Sequence, residues 1–493
     1  MARRKGALGS VGRGLRALGA LPALLTGLLA CGGAHEETER TATRSEATTS
    51  IDVRRSLVVT EQVILERFSL KRVMDQLVAQ SNVGGLTAKK LFRQWWDVQN
   101  PGPGLGAGPH CDDTVDATLG PVINGFPYSC RPAPSEGAQA NCDPFAATDT
   151  PCTYIPIGLF NRFDIAPENG AFCGEYRIVY AKKTGVLVSD DRNLIIFEAA
   201  MPNPLPLLGL EGCRPLAEFW ANLSTIDDAG DRADLLEAFY FQGLLSVPIF
   251  PPVVHIAHFG DNAAGRGQIR TNQFVFPDPR IWSLREFKLK RTCGLLSCST
   301  MRVLPATVKG NPYGPLFSPA LPHERAAAFQ THLQTRVAGL AASNIPDIDF
   351  AVPDTYNTAQ SQANGLENNY VAQFGPDPSA LRAALAAELA AQGSYLTPDQ
   401  IVARAQAQSC AGCHRLSNNA DLGGGIVWPP SQGFTHVTER EVEVVDGLAR
   451  FTISSALTDA FLPHRKDVLE RYLDDNLLLK LIPLRPIGGF LVH

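Results

Sequence analysis

The eleven cysteines of this 493-residue chain constrain its fold more than any other feature. Cys31 closes an apolar run near the N-terminus, and two more cysteines belong to the sequence Cys410-Ala-Gly-Cys413-His414. The other eight are Cys111, Cys130, Cys142, Cys152, Cys173, Cys213, Cys293 and Cys298. An even set in an exported chain predicts up to four disulfides, whose pairing the sequence leaves open. A bond between Cys293 and Cys298 would close a small loop.

The N-terminus has the layout of a leader for export. Basic residues at 3–5 precede a mostly apolar run at 18–29, which is too short to span a membrane. The run ends in Leu28-Leu29-Ala30-Cys31, which resembles the bacterial lipobox. This resemblance implies a lipid on Cys31 that attaches an exported protein to a membrane, and Gly32 favours the outer membrane over inner-membrane retention. A plain secretory signal is the alternative.

The charge of the chain bears on its partners. Removal of residues 1–31 leaves 39 basic and 49 acidic residues, a formal charge of −10. That balance is not the footprint of a nucleic-acid binder, so we expect no nucleic-acid partner. An acidic surface suits a basic redox partner, or simply keeps the protein soluble.

Composition and periodicity divide the chain into five segments and predict the fold class α+β. The segments are a leader at 1–31, a flexible tether at 32–50, a large domain at 51–342 with a cysteine-rich loop at 99–160, a linker with bridging helices at 343–396, and a small domain at 397–493. Within the large domain, periodicity predicts helices at 61–80, 87–98, 213–226 and 231–244, and strands at 175–181, 193–199, 251–259, 267–274 and 281–289. No motif in this domain identifies a catalytic or metal site.

The strongest chemical signal is Cys410-Ala-Gly-Cys413-His414, which matches the C-x-x-C-H attachment signature of c-type haem. In such a site two thiols bond to the haem vinyl groups and the histidine becomes an axial iron ligand. The spacing lets one helical turn present both sulfurs and the imidazole to one porphyrin. We therefore predict one covalent haem c held by Cys410 and Cys413, with His414 as the proximal ligand. The alternative is a disulfide or surface C-x-x-C that happens to precede a histidine.

The residues around this signature predict two helices. Thr397-Pro398-Asp399-Gln400 forms a capping box that opens a helix leading into Cys410. Residues 467–473 form an amphipathic helix near the C-terminus, with Leu469, Tyr472 and Leu473 on its apolar face. This order resembles the class I cytochrome c domain. The resemblance implies a small, mostly helical domain whose last helix lies across its first. The Asp446-Gly447 turn separately predicts a β-hairpin in this segment, which is more strand structure than the minimal family fold holds.

One departure from the cytochrome pattern concerns the second axial ligand. The family normally supplies a methionine between the two helices, but no methionine follows Met301 in this chain. The distal candidates in this segment are His436, His464 and His493. A second imidazole would lower the reduction potential, whereas an open position would permit small-ligand or peroxide chemistry.

These patterns together predict an exported bacterial lipoprotein with one covalent haem c that carries electrons rather than catalyses a reaction. One alternative is a haem-dependent redox enzyme, peroxidase-like or with its chemistry in the large domain. Another is a structural or interaction lipoprotein without haem. The sequence does not identify the redox partner.

Overall fold

The computed structural model describes residues 50–474, except residues 107, 132–135, 246–247, 261–265, 276–280, 296 and 322. The predicted leader, Cys31, nearly all of the predicted tether and His493 lie outside the described residues. The predictions made for them remain predictions.

An antiparallel sheet organises the fold. The strands in chain order are β1 (Val58–Val59), β2 (Val115–Asp116), β3 (Gly120–Ile123), β4 (Phe126–Pro127), β5 (Tyr154–Arg162), β6 (Phe172–Lys182), β7 (Asn193–Pro202), β8 (Gln268–Val275), β9 (Ile281–Cys293), β10 (Cys298–Ala306), β11 (Ser361–Gln362), β12 (Val437–Val445) and β13 (Leu448–Ile453). The main sheet has the order β1-β5-β6-β7-β8-β9-β10, and β11 also pairs with β9. Strands β2–β4 and β12–β13 form two small separate sheets.

Helices surround the sheet. They are α1 (Val53–Ser56), α2 (Gln62–Leu65), α3 (Leu70–Ser81), α4 (Ala88–Asp97), α5 (Arg214–Asn222), α6 (Ala229–Phe241), α7 (Ala326–Thr335), α8 (Val337–Leu340), α9 (Tyr370–Phe374), α10 (Ala380–Ala391), α11 (Pro398–Ala407) and α12 (Leu462–Asp474). Among the described residues, no helix is both long and apolar enough to cross a bilayer.

The two faces of the sheet differ because side chains alternate along each strand. On one face aromatic residues pack against helices: Trp95 of α4 lies 6.2 Å from Phe197 and 5.7 Å from Phe287, measured between ring centroids. The opposite face carries charged side chains such as Arg177, which lies directly across from Glu198 on the next strand. This second face is covered by the C-terminal part of the described chain.

Four disulfides pair the eight cysteines that the sequence sets apart. The bonds are Cys111–Cys130, Cys142–Cys152, Cys173–Cys213 and Cys293–Cys298. The predictions of an α+β fold with disulfides, and of the small Cys293–Cys298 loop, are confirmed. Cys410 and Cys413 are buried and take part in none of these disulfides.

Two of the predicted elements need correction. The helix predicted at 61–80 is interrupted after α2, and Ser69 caps a new start by accepting a hydrogen bond from the Arg72 amide. The strand predicted at 251–259 is wrong, since Ile256–Phe259 forms a short 3₁₀ turn. The prolines at 251 and 252 lack the amide hydrogens that a strand ladder needs, which explains the difference.

The predicted hairpin with an Asp446-Gly447 turn is confirmed. Strands β12 and β13 pair from Val445 opposite Leu448, and both turn residues have positive φ, 52° and 78°. Two positive φ values are the geometry of the tight turns that match strand twist.

Candidate functional site

Helix α11 carries the C-x-x-C-H sequence into the protein interior. The predicted capping box is confirmed: the Thr397 side chain accepts from the Gln400 amide, while the Gln400 side chain accepts from the Thr397 amide. The helix ends at Ala407, and a wide helical turn follows at Gly412–Leu416. This arrangement fixes where the two thiols and His414 lie.

Side chains from distant segments clamp the turn. The Cys410 amide donates to Asn311 Oδ1 at 2.9 Å, and the Ala411 amide donates to Ser361 Oγ at 3.0 Å. A Cβ at Gly412 would lie 1.7 Å from a backbone oxygen of α11, so only glycine fits between the two cysteines. The spacing of the two thiols is therefore held rigidly.

Both thiols are buried, at 0% exposure for Cys410 and 1% for Cys413. Burial raises the pKa of Cys413 to about 12 and the pKa of Cys410 still further above its ordinary value. This direction is opposite to the depressed pKa that reactive dithiols have. Cys410 lies within electrostatic reach of Arg270, and Cys413 within reach of Arg465.

His414 is oriented as metal-ligating histidines are. Its Nδ1 lies 2.9 Å from the Phe434 carbonyl oxygen, and its ring stacks on Trp282 with centroids 5.1 Å apart. Since a carbonyl only accepts, Nδ1 carries the proton and Nε2 keeps its lone pair. Burial lowers the pKa of His414 to about 4, so the ring is neutral at ordinary pH.

His436 stands beside both His414 and Cys413. The rings of the two histidines lie 4.6 Å apart between centroids. The protonated Cys413 thiol donates to His436 Nε2 over 3.3 Å, and His436 Nδ1 contacts Ser454 Oγ at 2.8 Å. Burial lowers the pKa of His436 well below its ordinary value, so this ring is also neutral.

A buried ion pair fixes the segment that carries His436. The Arg192 guanidinium donates to Glu439 at 2.8 and 2.9 Å, to Thr435 Oγ1 at 3.1 Å and to the Gly433 carbonyl. Arg192 lies in the connection between β6 and β7, so these bonds attach the segment to the main sheet.

A cavity separates this segment from the charged face of the sheet. Its volume is about 60 Å³. His414 and His436 line one wall. The apolar lining consists of Phe160, Val179, Leu194, Ile196, Leu284, Val437, Leu457 and Phe461. Ligand pockets in proteins span roughly 300–1,000 Å³, so this cavity would have to widen before it could hold a large ligand.

Arginines dominate the polar lining, where Arg162, Arg177, Arg270 and Arg465 accompany one acid, Glu198. Arg162, Arg177 and Arg270 each have a carboxylate partner within 3.2 Å, whereas the ion pair of Arg465 is longer. Arg162 binds Asp164 through contacts of 2.9 and 3.1 Å, while Arg465 lies 3.7 Å from the same carboxylate. Burial and the nearby Arg162 lower the pKa of Arg465 well below its ordinary value. Two arginines therefore share the Asp164 carboxylate, which balances the charge of Arg465 only in part.

The structure separates the two described distal candidates. Among the described residues that line the cavity, His436 is present and His464 is absent. His464 instead lies within electrostatic reach of Asp164 and Asp347. The sulfur-bearing residues Cys410 and Cys413 are also outside the lining and pack in apolar clusters beside it.

No family model, curated protein or solved structure matches this chain. The described residues contain no cluster of three or more His, Cys, Asp or Glu side chains arranged to hold a metal ion. A functional interpretation therefore depends on the geometry of the cavity and on the sequence signature beside it.

Histidines that are buried in their neutral form predict that the protein loses stability at acidic pH. His414 and His258 both have a pKa lowered to about 4, first of all by burial, whereas an unfolded histidine takes up its proton near pH 6.5. Stability should therefore be full above pH 6.5. It should fall as the pH drops from 6.5 to 4, by about 1.4 kcal/mol per pH unit for each such histidine.

Urea unfolding at pH 7, 6 and 5 would measure this slope. The protein should carry Cys410→Ser and Cys413→Ser, so that it is compared without haem. His258→Gln should reduce the pH dependence of the unfolding free energy by the contribution of one histidine. His258 is 2% exposed, and its neutral ring bonds through Nδ1 to the Val253 carbonyl. An unchanged slope in that variant would contradict the prediction.

Proposed function

We propose that this protein holds one covalent haem c and transfers single electrons as an exported lipoprotein. Cys410 and Cys413 would form the thioether bonds, and His414 would be the proximal iron ligand. The observation that carries the proposal is the orientation of His414 at the cavity wall. Its Nδ1 proton is committed to the Phe434 carbonyl, which leaves Nε2 to bind a metal. Bound haem would supply a one-electron redox couple.

The lining of the cavity supports a largely apolar ligand. Its walls are mostly aliphatic and aromatic, and they would have to move apart to hold a porphyrin. The cysteines do not line the cavity, but two arginines that do line it act electrostatically on them, Arg270 on Cys410 and Arg465 on Cys413.

Haem binding would require His436 to move. The ring centroids of His414 and His436 lie 4.6 Å apart. This distance is too short for both rings to bind one iron from opposite sides through metal–nitrogen bonds of about 2 Å each. Thioether formation would remove the thiol hydrogen of Cys413 that His436 Nε2 now accepts. That nitrogen would then be available, so we propose His436 as the distal ligand in preference to His464.

The excess positive charge supports an anionic ligand. Arg465 is 4% exposed and its nearest carboxylate already binds Arg162. A buried cation that shares one carboxylate with a second arginine is costly, and a carboxylate of the ligand would relieve that cost. Haem carries two propionates, so we propose that Arg465 binds one of them.

We propose that residues 397–493 are similar to a cytochrome c domain in how they hold the haem. The apolar face of α12 packs outside that segment: Tyr472 lies 4.8 Å from Phe163 between ring centroids and donates to the Leu210 carbonyl at 2.8 Å. The cavity also draws its floor from the main sheet. We therefore propose a divergent haem site that the large domain helps to build.

We further propose that lipid on Cys31 attaches the protein to the outer membrane. The support is the lipobox resemblance and the even set of four disulfides, which suit an oxidising compartment. The redox partner would be recognised by the acidic protein surface, which favours a basic partner.

The deciding experiment is expression together with the cytochrome c maturation system, followed by a pyridine-haemochrome spectrum of the denatured protein. We expect one haem per chain that stays attached through denaturation. Cys410→Ala with Cys413→Ala should abolish the covalent haem, whereas replacement of the Cys293–Cys298 disulfide by two alanines should retain it. Absence of covalent haem in the unaltered protein would overturn the proposal and favour a lipoprotein without haem.

A further inference from the structure

We propose that the loop at residues 205–208 docks the protein on a lipid surface. Its three leucines are exposed to solvent: Leu207 at 100%, Leu208 at 58% and Leu205 at 39%. Adjacent exposed leucines on a soluble domain mark a contact site more often than chance. This site is separate from the cavity and does not depend on haem.

The loop is braced, so its exposure is a fixed feature. The Asn203 side chain donates to the carbonyls of Gly170 and Gly209 at 2.7 and 2.8 Å and accepts from the Leu205 amide at 2.9 Å. A Cβ on Gly170 would lie 2.2 Å from the Gly209 carbonyl carbon, so the two backbones touch. The Cys173–Cys213 disulfide attaches the end of the segment that follows the loop to β6.

The loop lies near the point where the chain enters the described structure. The Ile51 amide donates to Glu470 Oε1 at 2.9 Å, and the Tyr472 hydroxyl donates to the Leu210 carbonyl at 2.8 Å. Glu470 and Tyr472 are neighbours near the end of α12. Ile51 and Leu210, which lies two residues beyond the loop, therefore contact the same end of one helix.

A lipid surface is the occupant that this placement favours. Eighteen residues of the predicted tether separate the proposed lipid on Cys31 from the described chain, and a flexible coil of that length would span about 20–25 Å. The membrane would thus lie within reach of the end of α12. Leucine side chains insert into the boundary between headgroups and acyl chains, and such a second contact would orient a tethered protein.

Vesicle flotation of the unlipidated protein would test this proposal. Residues 48–493 form their own compact unit, so residues 1–31 can be exchanged for a leader that is cleaved without lipidation. We expect binding to phosphatidylethanolamine–phosphatidylglycerol vesicles that persists in 0.5 M salt, because the contact is apolar. Leu207→Ser with Leu208→Ser should reduce the bound fraction at least about fivefold.

The matched control is Leu187→Ser with Val188→Ser, which changes an equally exposed apolar pair in another loop, at 87% and 52% exposure. This control should bind vesicles as the unaltered protein does. Equal loss in both double variants, or no vesicle binding at all, would overturn the proposal. So would self-association that Leu207→Ser with Leu208→Ser abolishes in the absence of vesicles, which would assign the loop to a second copy of the chain. A protein that binds vesicles but lacks haem would overturn only the proposed function.

Discussion

Replacing His436 with alanine should open the sixth coordination position of the haem. The affinity of the ferric protein for cyanide should rise at least about a hundredfold, because the added ligand no longer has to displace an imidazole. The reduced protein should likewise bind carbon monoxide, with a shift of the Soret band. His436 lines the cavity beside His414, so its loss removes the nearest nitrogen on that side.

His464→Ala is the matched control, because His464 lies outside the described cavity lining. It should leave the Soret band and the cyanide affinity unchanged. His436→Met should raise the reduction potential measured by redox titration, since methionine favours the reduced iron more than a second imidazole does. If the unaltered protein already binds carbon monoxide, or if His464→Ala opens the site instead, the assignment of His436 is wrong.

Local patterns in the sequence predict much of the scaffold. The Thr397–Gln400 capping box and the Asp446-Gly447 hairpin depend on residues a few positions apart, whose hydrogen bonds and φ values follow from local chemistry. The even number of cysteines and the predicted oxidising compartment together indicate that disulfides form. The pairing of these cysteines cannot be predicted from the sequence, because it depends on which loops the fold brings together.

The cavity could not be predicted in the same way. Alternation along β6 predicts that Arg177 points away from the aromatic face, but not which segment covers it. Arg177, Arg270 and Arg465 come from distant parts of the chain and meet only when the sheet and α12 are assembled. The stacking of Trp282 on His414 is a further long-range contact without a local signal.

The apolar face of α12 shows the same limit. Leu469 and Tyr472 are buried as the amphipathic pattern predicts. The cytochrome c resemblance implies the helix before Cys410 as their neighbour, whereas Tyr472 contacts Phe163 and the Leu210 carbonyl. Periodicity identifies the buried face of a helix but does not identify what buries it.

Replacing Arg465 with methionine should change stability and haem binding in opposite directions. In protein without haem, the change removes a buried cation that is 4% exposed and replaces it with an apolar chain of similar length. Asp164 keeps its contacts with Arg162, so no carboxylate is left unpaired. The free energy of unfolding should therefore rise by about 1–2 kcal/mol.

In the same variant the haem propionate would lose its proposed partner. The fraction of chains that carry haem after maturation should fall severalfold, and Arg465→Lys should restore part of it because the charge returns. Urea unfolding of the Cys410→Ser, Cys413→Ser background measures the first effect. Haem content per chain of the protein with intact cysteines measures the second.

Arg177→Met is the informative comparison, since Arg177 also lines the cavity but pairs with Glu175 at 2.9 Å and Glu198 at 3.2 Å. Its loss leaves two buried carboxylates without that partner, so the protein should be destabilised by about 3–5 kcal/mol. Changes of opposite sign in the unfolding free energy of these two variants would identify Arg465 as the arginine that binds the ligand. Destabilisation by Arg465→Met, of the size seen for Arg177→Met, would show instead that Arg465 serves the fold through Asp164.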